Sequence, residues 1–247
     1  MNSPDMPVIE RPSLALLCSE PLRAAKELAL CRFGKSEAKP GDGHPIVIFP
    51  GLGADGRSVA ILRARCHALG YEVYDWGRGF NTGPRGDLDA WLHGLKTEIE
   101  EMLCGHTQPA TLIGWSLGGF YAREIGKLMT LRIRQVITMG TPFNEGADQS
   151  NVGWLFRLLS GSSSSIDPVL SRRLRTPPPV RTTSIYSRSD GVVAWQTCCH
   201  HKRSRLVQDI EVGGSHVGMG WNRDVLAVVA DRLGQKSGAL RRYERVY

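Results

Sequence analysis

The chain has 247 residues, 41% hydrophobic and 22% charged, an ordinary globular composition with enough apolar side chains for one sizeable core. Lysine and arginine total 31 against 24 acids, a formal charge of +7, but the positive charges are scattered through short runs such as "RSRL" and "LSRRLR" with no nucleic-acid motif beside them. The excess therefore reads as a solvated basic surface, and no nucleic-acid partner is expected.

No apolar run approaches the roughly 20 residues needed to cross a bilayer, so no transmembrane segment is expected. The first residues lack a basic stretch, and "LALLC" at Leu14–Cys18 is too short for a secretory h-region. Six cysteines at 18, 31, 66, 104, 198 and 199 form no paired framework. Together these features point to reduced thiols and a cytoplasmic protein.

Residues 1–44 read as one helix, Leu14–Phe33, followed by a Gly/Pro/Lys linker, and this helix is expected to pack on the edge or face of a sheet. From residue 45 onward, short apolar runs alternate with amphipathic segments. "PIVIFP" at Pro45–Pro50 is the first predicted strand, and "RSVAILRARCHALG" follows it as a helix with Gly70 at its C-terminus. "YEVYDW" from Tyr71 is the second strand, and "DLDAWLHGLKTEIEEML" from Asp87 is a helix opened by acids. "TLIGW" from Thr111 is the third strand and runs into the helix "LGGFYAREIGKLM". "RQVITMG" from Arg134, "TTSIYS" from Thr182 and "DIEVGG" from Asp209 complete six strands, and "RDVLAVVADRLG" is the last helix. Strands alternating with helices imply an α/β fold with a parallel sheet and right-handed crossovers, spanning 45–247.

One interval breaks the alternation. Residues 144–180 contain "NVGWLFRLLSG", four serines and "LSRRLRTPPPV", with no clear strand. Long excursions in compact folds are often functional, and this one is expected to form a small helical cap. Its apolar residues Val152, Leu155, Phe156 and Leu159 recur at helical spacing, so the cap has a face that can pack on the domain, line an acyl pocket or touch lipid transiently.

Gly114-Trp115-Ser116-Leu117-Gly118 sits where the third strand turns into a helix. A G-x-S-x-G turn in that setting lifts a serine hydroxyl to the top of the sheet. A serine needs a base to take its proton and an acid to orient the base, in the chain order Ser, Asp or Glu, His. His216, in "EVGGSHVGMG", follows the last strand and is the candidate base; His200 and His201 lie in a polar segment read as exposed. Asp190, in the loop after the fifth strand, is the candidate acid. Asp167 falls in the insertion, Asp209 begins a strand, and Asp224 caps a helix. "CCHH" at Cys198–His201 lacks the spacing by which ligands converge on one ion, so no metal site is assigned.

Taken in order, "FPGLGADGRS", "LIGWSLGG", "MGTPF", "YSRSDGVV" and "GGSHVGM" resemble the α/β-hydrolase superfamily, in particular small bacterial lipase- and esterase-like members. The resemblance implies Ser116 as nucleophile, Asp190 as acid, His216 as base, and an oxyanion hole from the N–H groups of Leu117 and Leu52. Many relatives have His-Gly where this chain has Pro50-Gly51, a departure at the Leu52 loop. The substrate pocket is expected to draw on Trp115, Phe143, Trp154, Phe156 and Leu159. The expected activity is cleavage of a small-molecule carboxylic ester through an acyl-enzyme, without metal or organic cofactor. A thioesterase or acyltransferase with the same triad and a non-catalytic binding protein of this fold stay open, as does the oligomeric state.

Overall fold

The structure, a computed structural model, describes residues 9–31, 40–144, 168–200, 204–236 and 241–243. All six apolar runs become strands: β1 (Pro45–Phe49), β2 (Glu72–Asp75), β3 (Ala110–Trp115), β4 (Ile133–Met139), β5 (Arg181–Tyr186) and β6 (Val207–Glu211). They form one sheet in the order β2-β1-β3-β4-β5-β6, with every neighbouring pair parallel. Six helices accompany them among the described residues: α1 (Leu14–Cys31), α2 (Ala60–Ala68), α3 (Leu88–Met102), α4 (Leu117–Leu128), α5 (Pro168–Arg175) and α6 (Arg223–Leu233).

The central strands β1 and β3 are buried along their whole length, because helices cover both faces of the sheet. Along β1, Val47 and Phe49 enter one core with Leu92, Leu95, Ile99, Phe120 and Ile125, which are residues of α3 and α4. Ile46 and Ile48 point the other way, into a core with Leu62, Cys66, Val225 and Val229 of α2 and α6. The same alternation runs through Leu112 and Ile113 of β3 and through Val136 and Ile137 of β4.

Helix starts follow local chemistry. Asp87 caps α3, its carboxylate accepting from the Ala90 N–H at 2.8 Å. Leu92, Leu95 and Ile99 then bury one face of that helix, each worth about 1.5–3 kcal/mol. Helix α2 ends at Ala68, two residues before the expected Gly70, with Leu69 as C-cap. Asn222, not Asp224, caps α6, accepting from the N–H groups of Asp224 and Val225.

Helix α1 departs from expectation. It rests on the 3-10 turn at Val217–Gly220 and on α6, and its hydrogen bonds reach loops after β5 and β6 instead of the sheet. The reason lies in which face is buried: Glu20 and Ala24 are covered, while Leu14, Leu22 and Leu30 are exposed. A buried polar face needs donors, which loop backbones offer and an apolar sheet face does not.

Of the expected cap, α5 is seen fastened to α4 by Arg173, whose Nε donates to Glu124 Oε2 at 2.6 Å. Residues 145–167, with Trp154, Phe156, Leu159 and Asp167, lie outside the described residues. Among the described residues no helix is long and apolar enough to cross a membrane.

Because all six strands are parallel, their C-terminal ends share one edge. The loops that leave that edge carry Leu52, Ser116, Thr141, Asp190 and His216.

Candidate active site

Ser116 joins β3 directly to α4 with φ 53° and ψ −120°. It is the single non-glycine residue with positive φ among the described residues. Such backbone costs on the order of 1–3 kcal/mol and persists only where its surroundings fix it. They do so here. The Ser116 N–H donates to the Met139 carbonyl at 2.8 Å, and the Thr141 hydroxyl donates to the Ser116 carbonyl at 2.9 Å. A side chain at Gly118 would overlap the carbonyls of Phe49 and Pro50, and one at Gly114 would overlap the backbone of Gly118. The two glycines of the motif thus let α4 start hard against the ends of β1 and β3. Ser116 is 8% exposed, at the N-terminus of α4, where helix backbone N–H groups and the positive end of the dipole gather.

Asp190 is buried in the loop after β5. Its Oδ1 accepts from the N–H groups of Val192 and Val193 at 2.8 and 2.7 Å, which folds the loop back on the carboxylate. The other oxygen, Oδ2, faces His216 Nδ1 at 2.6 Å, and both side chains are nearly solvent-free. A carboxylate can only accept, so Nδ1 carries the proton and Nε2 of the neutral ring keeps its lone pair. Burial pulls the His216 pKa down, but the charge and hydrogen bond of Asp190 and the charge of Glu20 outweigh it. The net position is above the ordinary histidine value of 6.5. The ring lies against the backbone of Gly140, next to the Met139 carbonyl that holds Ser116. Sequence-selected Ser116, Asp190 and His216 therefore share one edge, with the acid and base in direct contact.

The loop after β1 is braced by a residue that sequence reasoning passed over. Asn81 Nδ2 donates to the Pro50 carbonyl at 2.9 Å, its backbone accepts from Gly53 N–H, and its Oδ1 accepts from the Tyr121 hydroxyl. Its setting in "GFNTGPRG", between a strand and a capped helix, was the available signal. Among the described residues neither the Leu52 nor the Leu117 N–H has an acceptor.

The remaining candidates have structural surroundings. Trp115 is 9% exposed; its Nε1 donates to the His216 carbonyl at 3.1 Å, and its ring packs on Gly51. Phe143 is 3% exposed, with its ring 4.3 Å from that of His200 and Arg123 stacked over it. His200, read from sequence as exposed, is a buried side chain. Its Nδ1 faces Asp209 Oδ1 and its Nε2 faces Arg123 Nη1, both at 2.8 Å, so ionic partners offset its burial. Asp209 is thereby occupied away from His216. Burial raises the thiol pKa of Cys198 and Cys199 above the ordinary cysteine value. No group of three metal-binding side chains occurs among the described residues.

A cavity of about 1100 Å³ lies between α1, α2 and α6, lined by Leu16, Glu27, Ile61 and Leu226 among others. Ser116 is not part of its lining, so its shape says nothing of what the serine meets.

Comparison with known proteins accords with the fold. The sequence matches the alpha/beta hydrolase family over residues 46–241. Curated protein sequences give no match. Similar solved structures include the metagenome-derived lipolytic enzymes LipS and LipT, at 14% identity and TM-score 0.56, covering 79% of this chain and 93% of that one. Lipase B of Aspergillus fumigatus aligns at 15% identity and TM-score 0.60, over 82% of this chain and 54% of that one. Est1E of Butyrivibrio proteoclasticus, solved with ferulic acid, aligns at 11% identity and TM-score 0.56, over 81% and 88%. At these identities the likeness is one of fold.

Proposed function

Because the chain belongs to the alpha/beta hydrolase family, we propose that it is a serine hydrolase that cleaves carboxylic esters through an acyl-enzyme. The observation that carries the reading is the backbone of Ser116: a strained serine, fixed from two sides, at the edge where a buried His216–Asp190 pair is also found. Ser116 Oγ attacks the ester carbonyl, and Nε2 of His216 takes the proton. Asp190 holds the tautomer and stabilises the imidazolium. The N–H groups of Leu117 and Leu52 receive the tetrahedral oxyanion, each such donor being worth about 10²–10³ in rate. Collapse expels the alcohol, protonated by His216, and water then releases the acid by the same steps. Solved structures of the same fold that are described as lipolytic enzymes, and one that holds ferulic acid, a carboxylic acid, support an ester as substrate. A reducing, cytoplasmic setting belongs to the same reading, supported by six free cysteines.

Hydrolysis of nitrophenyl esters of graded chain length, by wild type and by Ser116→Ala, tests the reading. Wild type is expected to turn over at least one chain length and the variant none. Activity should rise with pH through one ionisation above 6.5, since His216 accepts a proton only when neutral and its pKa stands above that value. A folded Ser116→Ala protein that kept wild-type turnover would contradict the assignment.

A further inference from the structure

Helix α1 precedes the segment that matches the family, yet it carries one of the most heavily bonded carboxylates in the molecule. Glu20 is 2% exposed. Its Oε1 accepts from the N–H groups of Gly191 at 2.8 Å and His216 at 3.1 Å, and its Oε2 accepts from Val217 N–H at 3.0 Å. Arg23, one turn along the helix, donates to Oε1 at 2.6 Å and to the Ser189 carbonyl at 2.5 Å. Gly191 follows the acid Asp190, Ser189 precedes it, and His216 is the base. A single carboxylate thus joins the backbone of the acid loop to that of the base loop. With four donors on two oxygens it acts wholly as an acceptor, as an ionised group does.

Three further contacts tie the same helix face to the His216 loop and the turn after it. Glu27, seven residues on, accepts from Ser215 N–H at 2.7 Å and from Asn222 Nδ2 at 3.1 Å. Trp221 Nε1 donates to the Ala24 carbonyl at 2.9 Å. Positions 20, 23, 24 and 27 lie on one side of a helix.

Resting on the triad reading above, we propose that Glu20 is a positioning residue: its carboxylate clamps the loops after β5 and β6 together and sets His216 against Asp190. The hydrogen bonds leave little freedom for the His216–Asp190 contact to open, because widening it would strip buried N–H groups of their acceptor. The clamp also has an electrostatic consequence. Charged groups facing the His216 loop are Asp190, Glu20, Arg23 and Glu27, and of these Asp190 and Glu20 act directly on the imidazole.

Glu20→Gln keeps the size of the side chain, removes the anion and turns an amide N–H₂ against backbone donors. Arg23→Gln keeps the anion and removes its counter-charge. The experiment follows the His216 imidazole by two-dimensional NMR titration, assigned by loss of the signal in His216→Gln, together with kcat/KM against pH. In Glu20→Gln the His216 titration should move to lower pH by about half a unit or more, and kcat should fall about tenfold to a hundredfold with KM little changed. In Arg23→Gln the titration should move to higher pH. Opposite signs distinguish the clamp from a generic structural role, which lowers stability in both variants and moves neither titration. A His216 titration unchanged in Glu20→Gln, or an Arg23→Gln shift that is absent or downward, overturns the proposal. If Glu20→Gln does not fold, Arg23→Gln alone decides. The NMR readout needs no turnover. Failure of the triad reading would appear separately, as absence of covalent labelling at Ser116 in wild type.

Discussion

Ser116 is held from within its own part of the sheet, whereas the loop bearing His216 is held from outside it. On the nucleophile side, the anchors are Met139, Thr141 and the close approach of Gly118 to Phe49 and Pro50, all in β1, β4, the turns that leave them or the start of α4. On the base side, the acceptors are Glu20 and Glu27 of α1, distant by 196 residues for His216 and 188 for Ser215. The first arrangement combines close steric fit with neutral hydrogen bonds to the Ser116 backbone. The second consists of charge-assisted hydrogen bonds to backbone N–H groups, so it can be altered one side chain at a time. The difference explains how a loop with two adjacent glycines, Gly213 and Gly214, can still present a histidine at a fixed place.

Several substitutions sharpen that contrast. The largest effect is expected from Asp190→Asn, which lets the amide hold the wrong His216 tautomer and lowers turnover by about 10⁴. Asp209→Asn, whose partner is His200, should lower stability and leave the pH profile in place. Rates of both variants check the assignment, and a greater loss of turnover in Asp209→Asn would reverse it. Next is Gly118→Ala on the steric side. Overlap with two strand-end carbonyls should cost about 1–3 kcal/mol, seen as a fall of several degrees in Tm for a domain of this size. An unchanged Tm would mean that the α4 start is looser than described. The smallest effect is expected on the base side from Asn222→Ala, which removes the α6 cap and a donor to Glu27 for about 1 kcal/mol. Denaturant unfolding measures it, and no change would show that α6 is capped by other means.

The same contrast separates what could be read from the chain from what could not. The strand, the G-x-S-x-G turn and the following helix are neighbours in sequence, so Ser116 and its setting were legible in a dozen residues. Asp190 and His216 were legible because each follows an apolar run whose end must lie on the shared edge. The seat of α1 was not. Most of its partners are backbone groups, which carry no residue signature, and its buried face is marked only by Glu20, Arg23 and Glu27 at helical spacing. His200 was misread for a related reason: the partners that make its burial affordable, Arg123 and Asp209, lie 77 and 9 residues away.

Covalent labelling tests the central claim most directly. A fluorophosphonate reacts only with a hydroxyl activated by a neighbouring base and an oxyanion site. Incubated with the folded wild-type protein and mapped by mass spectrometry, it is expected to leave one adduct, on Ser116, formed more slowly in Asp190→Asn and absent from Ser116→Ala. An unlabelled wild-type protein, or an adduct on any other residue, would contradict the account.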